Sequence, residues 1–233
     1  MNFIQIIVYA ILAGIIPALI WLGFWLREDS THPEPKRRIF YVFCIGALMV
    51  LIALPFEYAF QIYIPPTLSG SILIFTILSA MTEEILKFLG AYIGAFRSPD
   101  FDEPIDAVTY MTTAALGFSA LENIIFVAAP LIKGGIINTI VTINLRFIGA
   151  SLLHIAASGI VGLCLGFAFY KPLRGKILWV CFGLVLATSL HAFFNFFILK
   201  GVAKDTLIAF GTVWLVIIVL ILLIEKVKSV QKS

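Results

Sequence analysis

Seven apolar runs, each long enough to cross a lipid bilayer as a helix, constrain the fold of this chain more than any other feature. They cover residues 3–26, 39–60, 68–96, 104–128, 144–170, 176–199 and 206–224, and a spanning helix needs about 20 apolar residues. With 61% hydrophobic residues among 233 and a mean hydropathy of +1.08, the chain has too little polar surface for a soluble domain. The sequence therefore predicts an all-α, polytopic membrane helix bundle of about seven transmembrane helices, forming a single domain over residues 1–233.

The distribution of lysine and arginine predicts the orientation of the bundle, because cytoplasmic loops are enriched in these residues. An outside N-terminus places eleven of the 16 on the cytoplasmic side and four outside, with Lys87 inside the membrane. We therefore expect a multi-pass protein of the bacterial plasma membrane with its N-terminus outside and its C-terminus in the cytoplasm. The net charge of +3 is small, and no basic cluster is interleaved with aromatic residues. This argues against nucleic acid as a partner and leaves the lipid bilayer as the surroundings of the chain.

Three charged residues stand in the middle of the third apolar run: Glu83, Glu84 and Lys87. Ionisable groups at such depth cost roughly 2.5–3.5 kcal/mol each on insertion scales, so they indicate a functional site. Glu83 and Lys87 are four residues apart on one helix face, where they can form an ion pair. Glu84 lies about 100° round the helix, and we expect it to have no such local partner. The alternative is an ion pair that only specifies helix packing.

Polar residues also interrupt three later runs. They are Glu122 and Asn123 in the fourth run, His154 in the fifth, and His191 and Asn195 in the sixth. At about 1.5 Å per residue, Glu83 and the later glutamate and histidines lie roughly 20–27 Å from the inner ends of their helices. We therefore expect one shared polar layer in the outer half of the membrane. Arg146, near the outer mouth, is interpreted as an interfacial anchor rather than a substrate-facing charge.

This set of side chains is sufficient to hydrolyse a peptide bond with an activated water. A glutamate can act as general base and then as general acid, while histidine and asparagine can donate hydrogen bonds to a developing oxyanion. Ser119 and Ser158 lack a convincing base at helical spacing, and phosphate loops, dinucleotide fingerprints and HExxH are absent. No cofactor is assigned. Zinc stays open, with Glu122, His154 and His191 as the candidate ligands, because two histidines and a glutamate can form a catalytic three-ligand site.

The motifs stand in a fixed order along the chain. They are Glu83-Glu-Ile-Leu-Lys87, Asp102-Glu-Pro-Ile-Asp106, Gly117-Phe-Ser-Ala-Leu-Glu-Asn123, His154 with small residues after it, and His191-Ala-Phe-Phe-Asn195. Together they resemble the PrsW family of intramembrane proteases, which is related to the CAAX-protease and bacteriocin-processing superfamily. The resemblance implies a catalytic core at about residues 68–199. Lys87 and Glu122 depart from the pattern of the wider superfamily and agree with the PrsW branch.

The resemblance implies an endopeptidase that cleaves a single-pass membrane protein near the outer face. For the PrsW branch it implies an anti-sigma factor as the substrate, cut at site 1 in regulated intramembrane proteolysis. By matching position, the implied catalytic residues are Glu83 as the base, Glu84 as a supporting carboxylate, Glu122 and His154 for orienting water or substrate, and His191 and Asn195 for holding the scissile carbonyl. Lys87, Phe118 and Asn123 would support them. A metallopeptidase mechanism stays open.

Two other classes of function compete with this interpretation. A proton-coupled transporter would also use intramembrane glutamates and histidines, although the chain lacks inverted repeats and paired broken helices. Its activity would follow a proton gradient and leave partner proteins intact. A non-catalytic membrane scaffold or immunity protein would tolerate substitution of the carboxylates.

Overall fold

The fold is a helix bundle, seen in a computed structural model that describes residues 2–27, 33–133 and 135–231. The helices are α1 Phe3–Trp25, α2 Lys36–Tyr63, α3 Ser71–Ala91, α4 Asp106–Ile132, α5 Ile136–Leu145, α6 Ser151–Phe167, α7 Leu173–Leu199 and α8 Ala203–Lys228. A π-helical turn, Tyr92–Phe96, extends α3, and a second one, Arg146–Ala150, joins α5 and α6 into one helix. The described ranges therefore hold seven continuous helices and no strand, and the predicted all-α bundle is confirmed.

Six of the seven continuous helices are long and apolar enough to span a membrane. The other is α3, whose apolar sequence carries Glu83, Glu84 and Lys87. Large apolar side chains cover the outside of the bundle, and Phe40, Leu178 and Leu207 are 70–74% exposed. Such a surface suits a lipid environment, in which the helices satisfy their own backbone hydrogen bonds.

The predicted and observed helices differ mainly at their ends. The helix predicted over residues 144–170 begins at Ile136, because the apolar residues of α5 continue through the π-helical turn into α6. The helix predicted over residues 104–128 continues through Pro130 to Ile132. These differences leave the number and order of the predicted helices unchanged, although α3 is not among the six that are long and apolar enough to span.

Helix α4 occupies the centre of the bundle and packs against α1, α2 and α6. A Cβ atom added at Gly117 would lie 2.0 Å from the carbonyl oxygen of Phe43, and one added at Gly46 would lie 2.1 Å from that of Ala114. The backbones of α2 and α4 therefore touch at these glycines, as is common where small residues line helix interfaces in membranes. This close packing fixes α4 beside α2.

An acidic loop closes the end of the bundle where α3 is followed by α4. The buried carboxylate of Asp106 accepts the backbone N–H groups of Asp102 and Glu103 at 2.9 and 2.7 Å. Arg38 of α2 donates to Asp100 at 2.6 Å. Asp106 thus holds the α3–α4 connection together, and Asp100 fastens it to α2, far from the predicted polar layer.

Candidate active site

A cavity of about 380 Å³ lies toward the opposite end of the bundle, where α2, α4 and α7 end and α3, α5 and α8 begin. Five of the six predicted catalytic residues line it, namely Glu83, Glu122, His154, His191 and Asn195. The sixth, Glu84, is fully buried and bonded to one of the lining histidines. The predicted convergence of four helices on one polar layer is therefore confirmed. That this end faces the outside stays a prediction.

Glu84 is the best-connected carboxylate of the site. Its Oε1 atom lies 2.7 Å from Nζ of Lys87 and 2.7 Å from Nδ1 of His191. Its other oxygen accepts the hydroxyl of Ser158 at 3.1 Å. The distance from Lys87 to Glu83 is longer, at 3.5 Å. The expectation that Glu84 has no local partner is therefore wrong, because residues three apart also meet on a helix and other helices supply the remaining donors.

The hydrogen bonds around the two histidines define which ring nitrogen carries the proton. Nε2 of His154 lies 2.8 Å from Glu122 and Nδ1 lies 2.8 Å from the ammonium of Lys87. A carboxylate only accepts and an ammonium only donates, so His154 carries its proton on Nε2. By the same argument His191 carries its proton on Nδ1, which donates to Glu84. The remaining nitrogen of each ring lies near Glu83: Nδ1 of His154 accepts the hydrogen bond from Lys87, and Nε2 of His191 presents a lone pair.

These two nitrogens lie beside a carboxylate oxygen whose nearest cation is Lys87, at 3.5 Å. Oε2 of Glu83 lies 3.7 Å from Nε2 of His191 and 3.9 Å from Nδ1 of His154. This oxygen is buried, and it has no hydrogen-bond partner in the described part of the chain. Lys87 is therefore the cation next to these groups, while Oε2 of Glu83 and Nε2 of His191 can also accept hydrogen bonds from a water or bind a metal ion.

The donor set fits a metal ion. One ligand atom from each of Glu83, His154 and His191 lies within 4.8 Å of the other two. The outward N–H of each histidine is held by a carboxylate, Glu122 for His154 and Glu84 for His191, which is the usual second contact of metal-binding histidines. The geometry thus corrects the candidate zinc ligands, with Glu83 in the place expected for Glu122, because Glu122 lies behind His154.

Arg146 is turned into the site rather than toward the membrane surface. Its Nη2 atom lies 2.6 Å from Glu122, its Nε–H donates to Oδ1 of Asn123, and its guanidinium lies 4.2 Å from the centroid of the Phe126 ring. The interpretation as an interfacial anchor is therefore wrong, because two acceptors on α4 draw the guanidinium inward. Through Glu122, Arg146 also supports His154.

The other two predicted supporting residues pack around this network. Nζ of Lys87 lies 4.9 Å from the centroid of the Phe118 ring, which is a cation–π distance. The Phe118 ring lies 5.8 Å from that of His154. The amide of Asn123 donates to Ser151 at 3.1 Å. Both residues therefore contact the network.

The serines considered as nucleophiles have structural partners. Ser119 donates to Ser151 at 3.2 Å, and Ser158 donates to Glu84. Both are fully buried, and neither lines the cavity. Sequence reasoning missed Glu57 of α2, which lines the cavity half-buried and interacts with Glu83. The sequence feature that could have indicated Glu57 is a single carboxylate in an apolar run, two residues after Pro55.

The profile described as PrsW family intramembrane metalloprotease matches residues 34–224. This chain belongs to the PrsW family. Protease PrsW of Oceanobacillus iheyensis is 31% identical over 202 residues, covering 84% of this chain and 85% of that protein. Protease PrsW of Geobacillus kaustophilus is 27% identical over 195 residues, covering 80% and 78%. Protease PrsW of Bacillus subtilis is 24% identical over 184 residues, covering 79% and 80%. No solved structure matches the chain.

Membership of the PrsW family confirms the resemblance seen in the motifs. It identifies the chain as a peptidase, and with the six spanning helices as a multi-pass protein of the bacterial cell membrane. The family is described as a metalloprotease family, and Glu83, His154 and His191 form a group that could hold a metal ion.

Proposed function

We propose that this PrsW-family peptidase hydrolyses a peptide bond of a single-pass membrane protein, using a water activated by Glu83. The observation that carries the proposal is the meeting of Glu83, His154 and His191 in one cavity inside the bundle. We further propose an anti-sigma factor as the substrate, cut at site 1 in regulated intramembrane proteolysis. The family resemblance supports this substrate class, and the predicted orientation supports a cut near the outer face.

Glu83 is the base in this proposal. Its Oε2 atom takes a proton from the water while the water oxygen attacks the carbonyl carbon of the scissile bond. The C–N bond then breaks, and the same proton passes from Glu83 to the departing amine. Lys87, 3.5 Å from this oxygen, favours the ionised carboxylate that begins the reaction. Glu84 holds Lys87 and His191 in place.

The amide of Asn195 is the proposed donor to the scissile carbonyl, where it would stabilise the developing negative charge. His191 lies one turn earlier on the same helix and lines the same cavity. In its neutral form His191 presents the Nε2 lone pair to the cavity, so it would accept a proton of the water and help to orient it. Holding the carbonyl, as the resemblance implies, would require its imidazolium form.

A divalent cation is the alternative centre for the same chemistry, and zinc is the first ion to test. Glu83, His154 and His191 would hold it, while Glu84 and Glu122 keep both rings oriented. Bound there, it would supply a Lewis acid that polarises the carbonyl and activates water. Nδ1 of His154 would then exchange its hydrogen bond with Lys87 for the cation. The specific observation in favour is that Oε2 of Glu83, which has no hydrogen-bond partner among the described residues, lies within 4 Å of one ring nitrogen of each histidine.

The experiment is co-expression with candidate single-pass anti-sigma factors, followed by immunoblotting of the substrate. Wild type is compared with Glu83→Gln and His191→Ala, and with Glu225→Gln on the exposed end of α8 as a matched control. A shortened product with wild type and the control, absent from both site variants at equal membrane levels, supports the proposal. Cleavage in all four strains would overturn the site. Intact substrates beside a gradient-dependent transport activity would favour the transporter.

A further inference from the structure

The cavity wall holds a second buried polar atom that has no partner. Oγ of Ser79 is buried and forms no hydrogen bond within the described residues, as is also true of Oε2 of Glu83. Ser79 is 4% exposed and lines the cavity. It precedes Glu83 by four residues on α3, so both side chains lie on one helix face. Two unsatisfied groups one turn apart therefore border the same space.

The free hydroxyl of Ser79 contrasts with those of its neighbours. Thr76 donates to the carbonyl of Leu73 at 2.9 Å, and Thr82 donates to that of Leu78 at 2.9 Å. Hydroxyls inside helices commonly satisfy themselves in this way. Ser79 does not, although an unsatisfied buried hydroxyl reduces stability. A hydroxyl that is not bonded to its own helix and lines the cavity beside a candidate base is placed to bond a molecule in that cavity.

Because of its hydrogen bond to Glu84, His191 cannot be the second donor to the carbonyl oxygen of the scissile bond. Its Nδ1–H is used by Glu84, so neutral His191 offers no proton to a carbonyl in the cavity. Thr76 also lines the cavity, but its hydroxyl is already engaged. Ser79 on α3 and Asn195 on α7 line the same cavity from two helices that pack against each other. Oxyanion sites commonly combine two such donors.

We infer that Ser79 is a catalytic residue whose hydroxyl donates a hydrogen bond to the carbonyl oxygen of the scissile peptide bond. The inference rests on the proposed function and adds to it a second oxyanion donor, beside the amide of Asn195. Ser79 keeps its proton throughout and forms no covalent bond. Its ligand is a peptide carbonyl placed over Glu83.

The test compares Ser79→Ala with Thr76→Val in the purified full-length protein, reconstituted in liposomes with a cleavable single-pass reporter. Both changes remove one buried hydroxyl from the same helix and the same cavity. Because only the hydroxyl of Ser79 is free, we expect Ser79→Ala to lower kcat by about 100-fold or more with little change in KM. Thr76→Val should stay within about threefold of wild type, and Ser79→Thr should recover much of the loss.

The melting temperature supplies an independent readout. Since Ser79→Ala removes an unsatisfied group, its melting temperature should equal or exceed that of wild type, whereas a structural hydroxyl would lower it. Wild-type cleavage together with an unchanged kcat in Ser79→Ala would overturn this inference alone. Labelling of Ser79 by a fluorophosphonate would also overturn it, because Ser79 would then be a nucleophile. Absence of cleavage by wild type itself would overturn the proposed function, and this inference with it.

Discussion

Nδ1 of His191 lies 2.7 Å from Oε1 of Glu84, although the two residues are 107 positions apart in the chain. This hydrogen bond joins α7 to α3 at the level of the cavity. It also defines the tautomer of His191, and thereby turns the Nε2 lone pair toward Glu83. The neighbouring contact between Glu84 and Lys87 has the same length, so one carboxylate organises both the charge and the ring orientation of the site.

The Glu84–Lys87 pair should be essential for stability. Both side chains are fully buried, so removing either partner leaves an uncompensated charge in the bundle. We expect Glu84→Gln and Lys87→Met each to destabilise the protein by about 3–5 kcal/mol. Thermal unfolding in detergent measures the effect, and Glu84→Gln combined with Lys87→Met should be less destabilised than the sum of the two. Single variants that melt like wild type would contradict the role given to the pair.

The contact between α2 and α4 should tolerate no side chain at Gly117. A Cβ atom there would lie 2.0 Å from the carbonyl oxygen of Phe43, and backbone atoms cannot yield as a flexible side chain does. We expect Gly117→Ala to cost at least about 1–3 kcal/mol. Gly211→Ala on α8 is the matched control, because nothing lies within 4 Å of its added Cβ. Equal melting temperatures for the two variants would contradict the described packing.

Arg146 should act through Glu122 and His154. Losing a residue that supports a ligand typically costs about 10–100-fold in activity or metal affinity, and we expect this for Arg146→Gln. Arg146→Lys should recover only part of the loss, because lysine cannot reach Glu122 and Asn123 with one planar group. Cleavage rates of the reporter measure both, with Lys204→Gln at the exposed start of α8 as the control. Normal activity of Arg146→Gln would contradict this supporting role.

Metal titration separates the two candidate ligand sets. If the site binds zinc, Glu83→Gln should weaken binding more than Glu122→Gln, because Glu83 contributes a ligand atom whereas Glu122 only holds the outer nitrogen of His154. Elemental analysis and zinc titration of purified protein measure this. The reverse order would restore the ligand set expected from the sequence. Protein that binds no metal would leave Lys87 as the cation of the site and contradict the metal alternative.

Apolar run length predicted the bundle well, because a bilayer imposes the length and composition of its helices. It could not locate the start of the fifth helix. The segment from Ile136 is apolar, but Asn138 and Asn144 within it are typical of a connecting loop. The distribution of apolar residues also does not indicate the π-helical turn that begins at Arg146.

The residues of the site were predictable, and their pairings were not. Polar residues within apolar runs, and their distances from the inner ends of the helices, were sufficient to predict that Glu83, His154 and His191 lie close together. Which glutamate binds Lys87 depends on His191 and Ser158, which belong to other helices. Helical spacing within α3 carries no information about them. The inward turn of Arg146 was likewise decided by acceptors on α4 rather than by its local sequence.

The central claim is that Glu83 and His191 belong to one peptidase site within the membrane. The most direct measurement is the cleavage rate of a single-pass anti-sigma factor by purified protein in liposomes, with the product mass used to locate the broken bond. We predict one cut near one end of the transmembrane segment. Its rate should fall at least about 100-fold in Glu83→Gln and in His191→Ala, and stay normal in Glu225→Gln. Cleavage at the wild-type rate in both site variants would contradict the account.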